Sequence, residues 1–123
     1  MDYRRFYKNS FLGERYDKVD SYLFHTSEDI AADAASPLAN TLHDAYFVYS
    51  EAVYAVEPRT HSEFRQCIRP LRDIVLVLVD GVARTVSPAS RLGRDLEEFR
   101  RRFLGAYEIA DEGFASMGDE PII

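Results

Sequence analysis

Apolar residues return every three or four positions in four runs along the chain. The densest lies between Thr60 and Val86. Phe64, Ile68, Leu71, Val75, Leu78, Val82 and Val86 share one helical face, and Gln66, Arg69, Asp73, Asp80 and Arg84 share the other, the signature of an amphipathic helix. Thr60 with Glu63 three residues on supplies a capping box for its start. A hairpin competes: Ile74–Val79 and Val82–Val86 as strands around an Asp80-Gly81 turn. The helix accounts for more of the residues, and a lone two-stranded hairpin is marginal in water. Pro70 and Gly81 oppose it, at roughly 3 and 1 kcal/mol in a helix interior, and Pro70 predicts a kink.

The other runs are helical by the same criterion. From Glu14 to Ala35, Tyr16, Val19, Leu23, Ile30 and Ala34 lie on one side, with Ser27 breaking the stripe. Ser36-Pro37 reads as an N-cap followed by proline at the first helical position. Leu38, Leu42, Ala45, Tyr49, Ala52 and Val56 then repeat in near-heptad steps until Pro58. After Ser87-Pro88, the series Leu92, Leu96, Phe99, Phe103, Tyr107, Ala110 and Phe114 gives the fourth helix. Short loops place successive helices antiparallel, which predicts an all-α, up-and-down four-helix bundle; the alternative is an α+β fold with a hairpin at 74–86. The bundle is expected over residues 14–112, with Leu42, Leu71, Leu78, Phe99 and Phe103 deepest. Residues 1–13 form an arm mixing Tyr3, Phe6 and Tyr7 with Arg4, Arg5 and Lys8, and residues 113–123 an acidic tail expected to fray.

A length of 123 residues suits one domain. The net charge of -6 argues against a general nucleic-acid binder. One cysteine, Cys67, excludes an intramolecular disulfide and points to a reducing compartment, so the cytoplasm is the expected location and Cys67 an inert buried thiol. No apolar run approaches the roughly 18 residues of a membrane span, nor is there a signal-peptide core.

The histidines carry no metal pattern. Residues three before His25, His43 and His61 are Tyr22, Asn40 and Pro58, so the Glu-x-x-His pairs of di-iron bundles are missing. His25 with Asp29 is a single four-residue pair. No arginine is followed four to six residues later by histidine, as in helical ribonucleases of the HEPN type, and no Gly-rich phosphate loop occurs. Arg100, Arg101 and Arg102 point around their helix rather than to one side. The expectation is a chain without cofactor, metal or catalytic residues.

Apolar residues also stand where a solvated helix should be polar. His43, Phe47 and Tyr54 project opposite the heptad face of the second helix, and Leu76 and Val77 sit among Asp73 and Asp80 on the third. They predict a second buried surface, covered by the arm, by a second copy or by another protein. The expected function is therefore a non-enzymatic interaction module of the adaptor, chaperone, immunity or inhibitor type, partner-binding through His43, Phe47, Tyr54, Leu76 and Val77. One alternative is an enzymatic or cofactor-binding bundle whose site forms only in three dimensions around His43, His61 and the tyrosines. Another is a nucleic-acid mimic with an acidic face, or a binder with a patch at Arg5, Arg94 and Arg101. No family signature is legible in the residues.

Overall fold

The structure, a computed structural model, describes residues 13–55 and 60–115. They form four helices, α1 (Gly13–Ala34), α2 (Pro37–Ala55), α3 (His61–Ala83) and α4 (Arg91–Ala115). α2 packs on α1 and α3, and α4 on α3 and α1, which closes an antiparallel four-helix bundle. The arm through residue 12, and the tail from residue 116, lie outside the described residues.

Local chemistry sets the helix ends. Ala35 leaves α1 with φ 47°, a left-handed conformation that costs an L-residue roughly 1 kcal/mol or more. Ser36 then caps α2, its hydroxyl accepting from Ala39 N at 3.2 Å, with Pro37 at the first helical position as predicted. Thr60 caps α3 from an extended conformation and accepts from Glu63 N at 3.1 Å, the first half of the expected capping box. Ser90 accepts from Gly93 N at 3.0 Å to start α4.

The hairpin reading of 74–86 fails. α3 runs unbroken from His61 to Ala83, with Pro70 and the Asp80-Gly81 pair inside it. Gly81 meets Leu38 of α2, whose Cδ2 would lie 3.3 Å from a Cβ placed there. The helix thus passes α2 closely at Gly81, where any side chain would press on Leu38.

The core is aromatic. Phe64 stacks on Phe114 at 4.1 Å between centroids, and Tyr49 meets Phe103 edge-on at 4.8 Å. Leu42, Phe99 and Phe103 are buried as expected, but Leu71 and Leu78 only line the core's margin, where Ile68, Val75 and Val79 occupy its centre. Phe114 is buried and α4 continues to Ala115, so residues 113–115 belong to the bundle and not to a frayed tail. On α1 the buried stripe is Tyr16, Asp20, Leu23, Ser27 and Ile30, a regular three-four alternation that includes two polar residues.

Candidate functional site

Those two polar residues belong to a ladder along the α1/α2 seam. The Tyr54 hydroxyl donates to Asp17, the Ser50 and Tyr46 hydroxyls donate to Asp20 Oδ1 at 2.6 and 2.7 Å, and Ser27 Oγ lies 2.7 Å from His43 Nδ1. Each step forward on α1 matches a step back on α2, so the bonds hold one antiparallel register. Around them lie Tyr16 and Tyr49, whose buried hydroxyls neighbour one another and reach no other acceptor among the described residues. Burial first, and then the Asp20 charge, hold the Tyr46 phenol well above its ordinary pKa, so it is a donor to Asp20 at every physiological pH.

Hydroxyl and imidazole in contact, as at Ser27 and His43, suggest nucleophilic catalysis. Ser27 is fully buried, however, and its Oγ also hydrogen-bonds Phe24 O at 2.9 Å. Its position is that of a helix back-bond.

The α3/α4 seam is ionic instead. Asp111 of α4 accepts from Arg65 Nε and Nη2 at 3.0 and 3.1 Å, and lies 2.8 Å from His61 Nε2. The Arg65 guanidinium, and after it His61, hold the Asp111 carboxyl below the usual carboxylate range against the opposing effect of burial. Farther along, Arg69 Nε donates to Tyr107 Oη, Arg72 lies over the Tyr107 ring at 4.7 Å, and Arg100 reaches Asp80 at 3.2 Å. Arg101 and Arg102 both turn to Glu98, which splits the Arg100–Arg102 run into separate pairs. Arg5 lies outside the described residues. No group of three or more His, Cys, Asp and Glu arranged to hold a metal occurs among the described residues.

The five outward residues divide. Tyr54 is a correction: it is 1% exposed, its ring edge-on to Tyr16 at 5.4 Å. Phe47, one heptad earlier on the same stripe, is 47% exposed, with Phe24 at 6.2 Å beside it. Both face α1, but only Tyr54 is capped by a neighbouring ring and a carboxylate. His43 is half-buried beside Ser27 and Phe24, and Leu76 packs at the core's edge. Val77 is the most open large apolar residue among the described residues, at 69%, with Ile74 at 50% one turn before it.

Ile74 and Val77 share a side of α3 with Gly81, which meets Leu38. α2 therefore runs beside them, and there Val48 is 53% exposed and Leu38 also open. Cys67 lies one heptad before Ile74 and is exposed, not buried as expected. The result is an apolar ridge along α2 and α3, with exposed Asp44 and Asp73 beside it on the two helices. Sequence reasoning missed Leu38, which fits the core heptad, and Ile74, which fits the hairpin pattern, and did not single out Val48; the packing of α2 on α3 leaves all three outside.

No helix among the described residues is long and apolar enough to cross a membrane. Comparison with protein-family models, with curated proteins and with solved structures finds no match for this chain.

Proposed function

We propose that this protein is a protein-interaction module whose α2/α3 ridge takes a basic, amphipathic helix of another protein, as an adaptor, chaperone, immunity protein or inhibitor would. The observation that carries this reading is the solvent-facing set Leu38, Val48, Ile74 and Val77 on two adjoining helices. Open apolar residues gathered on adjoining helix faces of a small domain mark a contact surface more often than do scattered ones. Adjoining helices present such a patch to a third helix lying along their seam. Asp44 and Asp73 beside the ridge, on a chain of net charge -6, favour a partner with basic flanks. A second copy would bring the same acidic edges together, since a two-fold interface pairs a surface with itself.

Cys67 offers a test, because the single thiol is exposed beside the ridge. An environment-sensitive fluorophore on Cys67 should report saturable binding of a lysine-flanked amphipathic helical peptide. Ile74→Ser with Val77→Ser should weaken it at least tenfold while the melting temperature stays near that of the parent. Equal binding by parent and variant, or binding of a peptide with the same charge and a scrambled apolar face, would remove the ridge as the site. A concentration-dependent dimer abolished by the same substitutions would make the second copy the occupant.

A further inference from the structure

The α1/α4 side of the bundle, away from the α2/α3 ridge, holds a groove of about 390 Å³ lined by Arg15, Val19, Arg101, Arg102, Gly105 and Ile109, with Ala106 and Glu108 completing it. That volume is in the range of small-molecule sites. Three arginines from two helices, Arg15 of α1 with Arg101 and Arg102 of α4, line the groove beside the apolar Val19, Ala106 and Ile109. Glu98 accepts from Arg101 and Arg102 and is itself held down to a pKa of about 2, chiefly by those two hydrogen bonds. It therefore stays ionised and orients the pair. Arg102 is further fixed over the Tyr22 ring at 4.3 Å. A guanidinium carries about five N–H donors, so one carboxylate leaves most of them available, and Arg15 makes no ion pair among the described residues.

Gly105 is the second, independent observation. It sits in the middle of α4, where glycine costs about 1 kcal/mol relative to alanine. At Gly81 and Gly93 a neighbour limits the space for a side chain, but a Cβ on Gly105 would meet nothing within 4 Å among the described residues. Helix packing does not ask for glycine there. The missing side chain keeps the groove open.

We infer that the groove binds a small amphiphilic oxyanion, a carboxylate or phosphate ester with an apolar body. The anion sits among Arg15, Arg101 and Arg102, which suit planar and bidentate recognition of such groups. The apolar body lies on Val19, Ala106 and Ile109.

Calorimetric titration of the full chain with octanoate and with octyl phosphate tests this, with octanol and inorganic phosphate as the neutral and headgroup-only probes. One-to-one binding of octanoate or octyl phosphate is expected, weaker in high salt, and at least tenfold tighter than either control. Whichever of the two binds more tightly identifies the headgroup. Arg15→Gln with Arg102→Gln should reduce affinity at least tenfold. Gly105→Leu should abolish binding by filling the groove, and Gly105→Ala should retain it; both should melt no lower than the parent, since each removes a helix-interior glycine. Absence of binding by both amphiphiles, equal binding of inorganic phosphate, or undiminished binding by Gly105→Leu would overturn the site.

Discussion

Tyr46 and Asp20 meet in the interior of the bundle, the phenol donating to Oδ1 across 2.7 Å from a helix twenty-six residues later in the chain. Both side chains are buried, so the bond is made where water cannot replace it. Ser50 donates to the same oxygen at 2.6 Å. The carboxylate is thus the middle rung of the ladder that joins α1 and α2.

Tyr46→Phe removes only the hydroxyl and keeps the ring between Phe99 and Phe103. Hydrogen bonds to charged groups contribute roughly 1.5–3 kcal/mol, and a loss in that range is expected by denaturant unfolding. Asp20→Ala should cost more, because it removes the shared acceptor of the Tyr46 and Ser50 hydroxyls. A loss below about 0.5 kcal/mol for Tyr46→Phe would mean that water reaches Asp20 in solution.

A backbone prediction concerns Gly93, in the first turn of α4. A Cβ there would fall 2.2 Å from Ser87 O and 2.9 Å from Pro88 Cα, both backbone atoms of the preceding turn. Gly93→Ala must displace that turn and the Ser90 cap, at about 1–3 kcal/mol or more by analogy with overpacked cores. Thermal melts should show a clear fall although alanine favours helix. An unchanged or raised midpoint would show that the α3/α4 turn moves freely.

The Asp111 cluster makes stability depend on acid. Its carboxyl is held below the ordinary value by Arg65 and then His61, so the stabilisation is fully present above the unfolded pKa of about 3.9 and is lost as pH falls through the lower folded value. Asp111→Asn should therefore be less stable than the parent at neutral pH, and the gap should close below about pH 4. A gap constant from neutral to acid pH would show that the carboxylate charge contributes nothing.

The four helices and two of their starts are written in the sequence, because apolar spacing, Ser36-Pro37 and Thr60 act within a few residues of themselves. Which side of each helix faces inward was legible only where one side is plainly apolar. On α4 the whole stripe from Leu96 to Phe114 is buried as read. On α2 apolar residues surround most of the helix, and the buried set turns to Ala39, Leu42, Tyr46, Tyr49, Ser50, Val53 and Tyr54, leaving Leu38 open.

What chooses among such faces is a partner far along the chain. Asp20 four residues after Tyr16 reads as a solvated position until Tyr46 and Ser50 arrive to satisfy it. The same holds for the ridge: Ile74 fits a buried pattern as well as its neighbours do, and only the way α2 and α3 pack leaves it and Val48 outside. Sequence alone determined the helices through short-range periodicity and capping. Tertiary structure decided their rotation, because burial and hydrogen-bond satisfaction are properties of residues brought together from different helices.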